Sequence, residues 1–529
     1  MTRRFRLLAP AALLFLCAVP ACGQSARQVT AAARRAADGI TEADIRARIG
    51  VIADDSMRGR ATPSPQLDQT AAWIASEFAR FGLRPGGDSG TFLQRYPIRR
   101  VRLDSASYVM MMGRGVVGRW AVGREAAAAT ALPPTDSAVT GPAVLMIGMP
   151  ADTARPFGDV DVRGAVVVQA VPLSALRRGG DVPALINRGA AAGARAWVLL
   201  LRVPPQFVAS QGRRQLGAQV VVGAPSVRIP ALVVRDSSAV DVLHAAGEDL
   251  AALRDTTAHA VRAMNGFTVT VDVRQRAVEE TTAPNVIGVL EGSDPRLKDE
   301  YVFFTGHMDH IGVAGGDEGC RAAGADSICN GADDDASGTI GVVELAEAFS
   351  RLEPRPRRSL VFMTVSGEER GLWGSNWYVE HPELPLARTV ADLNIDMIGR
   401  YNHDQPGWRD TIAVIGKEQS SLGATADRIA REHPELHMTL IGDIWPLENF
   451  YRRSDHFNFA RKGVPILFFF NGTHSDYHRA GDEVAKIDAE KESRIVKMLF
   501  YLGLDVANAD EPPSWDPASR RQVVEGGGQ

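Results

Sequence analysis

The sequence predicts an α/β fold in which a mixed sheet is flanked by helices. The prediction rests on the spacing of apolar residues along the chain. Four continuous apolar runs indicate buried strands, at residues 301–305, 360–365, 390–395 and 464–470. Segments of helical periodicity separate these runs, for example at 339–352 and 422–432. Strands that are apolar throughout their length are typical of a sheet covered by helices on both faces.

Length and composition limit the classes of protein that this chain can belong to. With 529 residues, the chain is long enough for about three domains. It is 45% hydrophobic and 23% charged, which is an ordinary globular composition and excludes a multi-span membrane protein. The 59 basic and 63 acidic residues give a net charge of −4. Because the body of the chain has no basic block, a nucleic-acid partner is not expected.

The first 22 residues have the features of an export signal. Arg3, Arg4 and Arg6 form a charged start, and an apolar run follows at 7–18 that is too short to span a bilayer. The segment ends in Val-Pro-Ala-Cys, which resembles a bacterial lipoprotein box with Cys22 as the lipidated residue. We expect an exported protein of a bacterial periplasm or cell envelope, attached to a membrane only through this lipid. Simple cleavage near residue 22 remains an alternative.

The remaining chain divides into segments of different character. Residues 23–40 are rich in Ala and Arg and are expected to form a tether, and residues 509–529 are expected to be disordered. The main domain is predicted to be discontinuous, at 41–137 and 259–508. Short β-rich runs and one Gly/Ala-rich helix distinguish an insert at 138–258.

Two cysteines, Cys320 and Cys329, lie close together in a loop rich in Gly and Ala. An exported protein folds under oxidising conditions, which favours a disulfide between them. Metal binding by the two thiols is the alternative, but there is no CxxC spacing to support it.

The candidate chemistry lies at the ends of the predicted strands, where α/β proteins place their sites. His307 follows the first strand, and a turn with Asp334 precedes the next helix. Glu368 and Glu369 follow the second strand, Asp396 follows the third, and His478 lies after the fourth. Imidazole nitrogens and carboxylate oxygens are ligands for a divalent metal, zinc above all. Each residue alone would be unremarkable, and it is their occurrence on successive strands that predicts a metal centre.

In this order, the motifs resemble the zinc aminopeptidases of metallopeptidase family twenty-eight. The family signature appears as His307-Met308-Asp309, Asp334-Asp335-Ala336-Ser337-Gly338, Glu368-Glu369, Asp396 and His478. The resemblance covers about residues 40–130 and 260–505. It implies a zinc-exopeptidase-type mixed sheet flanked by helices, with two zinc ions as cofactors. More weakly, the insert resembles a β-rich protease-associated domain.

The resemblance also implies a role for each residue. Asp334 would bridge two zinc ions, His307 and Asp396 would complete one site, and Glu369 and His478 would complete the other. Glu368 would be the general base for a water between the ions, and Asp309 would orient His307. Tyr451 would hydrogen-bond the developing oxyanion. Asp455 and His456 would give indirect support, and His310 and His474 match no ligand position.

The resulting expectation is a metallo-aminopeptidase that hydrolyses N-terminal residues from peptides outside the cytoplasm. Two alternatives remain. A carboxypeptidase or dipeptidase of similar fold would need cations for a substrate carboxylate, and Arg452, Arg453 and Arg479 lie near the site segments. A non-catalytic binding protein with a relic metal site would have no use for Glu368.

Overall fold

A computed structural model describes residues 30–129, 132–133, 138–150, 152, 155–172, 181–223, 227–254, 259–316, 319–401 and 408–525. The predicted export signal at 1–22, with Cys22, lies outside the described residues. The described chain forms two sheets, one of ten strands and one of eight, with helices packed against them. The α/β class predicted from the sequence is confirmed.

Three helices open the described chain: α1 at Ala31–Asp38, α2 at Glu42–Ile52 and α3 at Pro65–Arg80. A Thr or Ser side chain caps each helix by accepting an amide hydrogen bond in its first turn. The expected tether at 23–40 is wrong for residues 30–40. Alanines of α1 are buried in the main core, because their small side chains let this helix closely approach the long helix at Ala489–Asn508.

The next strands are β1 at Arg84–Pro85 and β2 at Leu93–Leu103, which belong to the larger sheet. The chain then builds the smaller sheet. Its strands are β3 at Tyr108–Gly113, β4 at Val116–Ala121, β5 at Ala126–Ala128, β6 at Val139–Ile147, β7 at Val166–Val171, β8 at Ala196–Leu201, β10 at Ala231–Arg235 and β11 at Ala260–Asp272. Strand β9 at Gln219–Val222 leaves this unit and pairs with β2.

Four helices accompany the smaller sheet: α4 at Asp181–Ala191, α5 at Pro205–Leu216, α6 at Val240–Ala245 and α7 at Leu250–Arg254. The strand order is β4-β3-β11-β6-β7-β8-β10-β5, and β6, β7, β8 and β10 run parallel. The predicted insert boundaries, 138 and 258, are too narrow. Strands β3 and β11 pair with each other over six residues, so the unit extends from Tyr108 to Asp272.

The larger sheet is completed by the second half of the chain. Its strands are β12 at Gln275–Leu290, β13 at Tyr301–His307, β14 at Ser359–Val365, β15 at Thr389–Ile395, β16 at Thr411–Ile415, β17 at Thr439–Ile441 and β18 at Ile466–Phe470. The order is β17-β16-β18-β15-β13-β14-β12-β2-β9, with β1 beside β12. At its centre, β18, β15, β13 and β14 are parallel. Helices α8 at Gly338–Ser350, α9 at Trp373–Glu380, α10 at Ser421–Glu432, α11 at His456–Ala460, α12 at Ala489–Asn508 and α13 at Pro517–Arg520 follow in the chain.

The described part of the tail, residues 509–525, makes contacts with the main domain, contrary to the expectation of disorder there. The Trp515 side chain joins a buried apolar cluster, and its indole Nε1 donates to the Gly463 carbonyl at 2.9 Å. Backbone hydrogen bonds also join Ser421 to Ser514 and Asp516 to Gln419. One aromatic anchor therefore holds a segment whose composition is mostly polar. None of the described helices combines the length and the apolar character needed to cross a membrane.

The main core depends on close packing of α12 over the central strands. At Gly503, in this helix, an added Cβ would overlap the ring of Phe304, which is fully buried on β13. We predict that Gly503→Ala lowers the free energy of unfolding by about 1–3 kcal/mol through overpacking. Gly50→Ala in α2 is the matched control, because nothing lies within 4 Å of a Cβ there. The control should be neutral or stabilising by up to about 1 kcal/mol. Equal denaturation midpoints for Gly503→Ala and the unsubstituted protein would contradict this packing.

Candidate metal centre

The parallel centre of the larger sheet determines where the site lies. His307 is the last residue of β13, Asp396 follows β15, and Glu368 and Glu369 follow β14 after a two-residue turn. Because these strands run in the same direction, their carboxyl ends meet at one edge of the sheet. Asp334 comes to the same edge in the turn that precedes α8.

One group of candidate ligands consists of His307, Asp334 and Asp396, all of them buried. The His307 Nε2 atom lies 3.3 Å from Asp334 Oδ1 and 3.7 Å from Asp396 Oδ1. Two ligands of one zinc ion, each bonded at about 2.0–2.2 Å, lie within about 4.4 Å of each other. The spacing of this group therefore suits a single divalent cation.

The other oxygen of Asp334 faces a second group. Asp334 Oδ2 lies 3.4 Å from His478 Nε2, and the same nitrogen lies 3.1 Å from Glu369 Oε2. His310 also approaches this group, with its Nδ1 atom 2.7 Å from Glu369 Oε1 and 3.8 Å from Asp334 Oδ2. Asp334 thus presents one carboxylate oxygen to each group, which is the arrangement of a bridging ligand.

The electrostatics of the cluster favour positive charge. Burial lowers the pKa of His478, but the contacts with Asp334 and Glu369 outweigh burial and raise it to about 10. Burial opposes ionisation of Asp334, yet the neighbouring histidines hold its pKa well below the usual range. Several buried atoms of the cluster also have no hydrogen-bond partner among the described residues: Asp334 Oδ2, Glu369 Oε1, His310 Nδ1 and His478 Nε2. Nitrogen and oxygen donors of this kind fit zinc.

Hydrogen bonds from neighbouring residues hold the candidate ligands in place. The Asp482 carboxylate accepts the amide hydrogens of Asp333 and Asp334, each at 3.0 Å, and so positions the shared ligand. Ser454 Oγ donates to Asp396 Oδ2 at 2.8 Å and accepts a hydrogen bond from Asn394 at 3.0 Å. Such outer partners fix the orientation of a metal ligand. The Asp334–Asp335 peptide bond is cis.

Glu368 lies beside the first group without belonging to either. Its Oε2 atom is 4.0 Å from His307 Nε2, and its side chain lines a cleft together with Asp334 and Asp396. Burial raises the pKa of the Glu368 carboxyl well above the usual range. A nearby cation acts in the opposite direction. Glu368 is thus a buried carboxyl group at the cleft that is not one of the candidate ligands.

Comparison with known proteins agrees with this geometry. Residues 285–503 match the family model for peptidase family M28. This segment is an M28 domain. A probable zinc metalloprotease of the fungus Pyrenophora tritici-repentis (strain Pt-1C-BFP) is 25% identical over 308 residues, which are 50% of this chain and 61% of that protein. A probable glutamate carboxypeptidase of Arabidopsis thaliana is 34% identical over 116 residues, 21% of this chain and 14% of that protein.

The chain is also similar to two solved structures of aminopeptidases. An aminopeptidase from Aneurinibacillus sp. strain AM-1 has a TM-score of 0.45 at 19% identity, covering 91% of this chain and 98% of that chain. A zinc aminopeptidase from Bacillus subtilis has a TM-score of 0.44 at 18% identity, covering 89% and 96%. The chain spans about 61% of the length of the fungal relative.

Asp309 and Tyr451 are the two residues that the family resemblance places beside the ligands. His307 Nδ1 lies 3.1 Å from the Asp309 backbone oxygen and 3.7 Å from its carboxylate, so the main chain makes the closer contact. The Asp309 carboxylate instead accepts hydrogen bonds from Thr62 at 2.9 Å and from the Glu368 amide at 3.3 Å. The Tyr451 hydroxyl is buried, and it has no hydrogen-bond partner in the described parts of the chain.

Tyr477 is the tyrosine that lines the cleft of the M28 domain. Its ring stacks on His478 at 3.9 Å. Burial, together with Asp334 and Glu369, raises the pKa of its hydroxyl well above the usual range. Sequence reasoning missed Tyr477, although its position directly before His478 was a usable signal.

The remaining predicted residues lie outside both ligand groups. His456 Nε2 contacts the Tyr451 backbone oxygen at 2.9 Å, and burial lowers the pKa of His456 to about 3. Burial raises the pKa of Asp455, behind the site, to about 7. His474 Nε2 lies 3.3 Å from Asp333 Oδ2. Cys320 and Cys329 form a disulfide with a Cα–Cα distance of 5.9 Å, and no thiol there is free for metal.

The hydrogen bond from Ser454 to Asp396 offers a test of the first group. We predict that Ser454→Ala weakens zinc binding about 10–100-fold, because Asp396 loses the hydrogen bond that orients it. Zinc affinity would be measured by competition with a chromophoric chelator. Ser350→Ala is the control, since that hydroxyl donates to the Glu347 carbonyl at the end of α8. If the two variants bind zinc equally well, Ser454 does not support the metal ligand.

Proposed function

We propose that this protein is a zinc-dependent aminopeptidase that acts on peptides through a centre of two zinc ions. The observation that best supports this proposal is that each carboxylate oxygen of Asp334 faces a different group of candidate ligands. Glu368 lies beside these groups and belongs to neither. A structural metal site has no use for a spare buried carboxylate next to its ligands. A hydrolytic site needs one, as the group that moves protons.

Bound zinc would polarise the scissile carbonyl and lower the pKa of water toward neutrality. The chain itself supplies the proton transfers. Glu368 accepts a proton from the attacking water and then delivers it to the leaving amine. Its amide is held by the Asp309 carboxylate, which in turn is fixed by the Thr62 hydroxyl. This chain of hydrogen bonds limits the movement of the base.

The arginines near the cleft bear on whether cleavage is from the amino or the carboxyl end. The Arg453 guanidinium lies over the Phe450 ring at 4.7 Å and contacts Glu448 at 3.3 Å. Arg452 lies over the Phe457 ring at 5.2 Å. Arg453 also lines the cleft beside the candidate ligands, so it remains available to a substrate carboxylate and keeps the carboxypeptidase alternative open. The carboxypeptidase alternative still has a relative named for that activity, over 21% of this chain.

Terminal specificity can be tested directly with one peptide in three forms: free at both ends, N-acetylated, and C-amidated. An aminopeptidase should cleave the free and amidated forms and lose activity on the acetylated form. All cleavage should stop with a chelator and return with added zinc. Loss of cleavage only on C-amidation would favour the carboxypeptidase. Full zinc occupancy without turnover on any peptide would favour a non-catalytic binding protein.

Glu368 is the residue whose chemistry the proposal requires. We predict that Glu368→Gln lowers kcat by at least about 10²–10⁴-fold, the usual effect of losing a general base, while zinc content stays the same. Glu380→Gln serves as the control, because this glutamate pairs with Lys462 at 2.9 Å on the surface. A near-normal kcat in Glu368→Gln would show that Glu368 is not the general base.

Tyr477 and Tyr451 form a matched pair for testing oxyanion stabilisation. Because Tyr477 lines the cleft and Tyr451 is not among the residues that line it, we predict that Tyr477→Phe lowers kcat about 10²–10³-fold with little change in KM. Tyr451→Phe should retain most of the activity. The reverse pattern would restore the role that the family resemblance gives to Tyr451.

The location of the enzyme and the role of the smaller sheet belong to the same proposal. The charged and apolar halves of residues 1–22 favour export, and Cys22 favours a lipid anchor. The smaller sheet is proposed to be a protease-associated domain. Its strand β9 pairs with β2 of the larger sheet, which fastens this unit to the sheet that carries the site.

A further inference from the structure

His310 lies within the metal centre, although it matches no ligand position of the family. It is fully buried, and its ring meets the ring of His478 edge-on at 5.8 Å. The ring is also close to Gly331, where an added Cβ would overlap it. Gly331 also has a left-handed backbone, with φ of 59°. The chain therefore leaves room for this imidazole against the turn that carries Asp334.

His310 and Glu369 approach each other closely at the second group. The two atoms, Nδ1 and Oε1, lie 2.7 Å apart, yet neither has a hydrogen-bond partner among the described residues. The same two residues, with Asp334, offer ligand atoms that lie within 4.8 Å of one another, close enough to bind one cation.

At the second group, four buried atoms from four different residues have no hydrogen-bond partner among the described residues. They are His310 Nδ1, Asp334 Oδ2, Glu369 Oε1 and His478 Nε2. His310, Asp334 and Glu369 alone already form a cluster whose donor atoms lie within 4.8 Å of one another. Buried polar atoms without partners are costly, and a bound cation would satisfy all four.

We propose that His310 is an additional ligand of the cation in the second group, together with Asp334, Glu369 and His478. The inference rests on the proposed two-zinc function. The first group then has three protein ligands and keeps a coordination position for water or substrate, whereas the second group has four and is closed. The two ions would therefore differ in role and affinity, with the second held more tightly.

X-ray absorption at the zinc edge tests this by counting imidazoles. With one equivalent of zinc, the full-length protein should show two imidazoles per zinc, from His310 and His478. With two equivalents of zinc, the two ions together should have three imidazoles, so the average number of imidazoles per zinc should fall. If His310 is not a ligand, the count is one per zinc at both loadings, and the proposal is overturned. This measurement uses the unsubstituted protein, so it does not depend on the folding of a variant.

A substitution gives a second measurement. His310→Ala should reduce the count to one imidazole with one equivalent of zinc. It should also weaken the tighter site by more than the roughly 10–100-fold that loss of an outer hydrogen-bond partner produces. His433→Ala is the matched control, because this buried histidine stacks on Tyr501 at 3.7 Å and contacts Glu435, outside both ligand groups.

The outcomes separate this inference from the proposed function. If the unsubstituted protein binds no zinc at all, the two-zinc proposal fails together with the inference. If it binds two zinc ions and cleaves peptides but shows one imidazole per ion, only the role of His310 is wrong. A His310→Ala variant with unchanged zinc affinity would also overturn it.

Discussion

The metal centre depends on the hydrogen bonds that the Asp335 carboxylate accepts. This buried side chain accepts hydrogen bonds from the amides of His307 at 3.0 Å, Gly338 at 2.8 Å and Met397 at 3.1 Å. The three amides belong to the end of β13, the start of α8 and the segment after β15. One side chain thus fixes the mutual distances of three loops that carry ligands. Its neighbour Asp334 faces the two groups of candidate ligands, so one aspartate supports the loops and the other is available to bind metal.

So many carboxylates in one buried place require compensation, and Arg60 provides part of it. The Arg60 guanidinium is fully buried and donates hydrogen bonds to the carbonyls of Ile52, Met308, Asn330 and Gly331 at 2.6–3.0 Å. Burial lowers the pKa of Arg60 to about 10, and nearby carboxylates partly offset this effect, so the group is charged at neutral pH. A charged donor to four carbonyls holds the turns around the site and connects α2 to them. The helices before the M28 match are therefore part of the same structural unit.

The sequence was sufficient for the features that follow from local pattern. Continuous apolar runs give the central strands, and the polar residues at their ends must meet once the strands are parallel. The pattern could not show which short strands pair with which, so the smaller sheet begins at Tyr108 and not at 138. Trp515 attaches the described part of the tail to the main domain. The average composition of a mostly polar segment does not reveal the effect of one aromatic residue. Local pattern could not show that Tyr477 lines the cleft, because the position of this residue depends on the path of a loop.

The two sides of the metal centre are built in different ways. His307 and Asp396 lie at strand ends in the packed core, but His478 is 33% exposed and lies in a loop with a left-handed backbone, with φ of 57°. A short hydrogen-bonded contact braces this loop, from the Ala480 amide to the Arg321 carbonyl at 3.0 Å. Arg321 directly follows Cys320, whose disulfide closes the neighbouring loop. Where the core cannot hold a ligand by packing, a covalent cross-link restricts the segment that supports it. The buried imidazole of His310 then supplies, on the core side of the same group, a donor whose position does not depend on the surface loop.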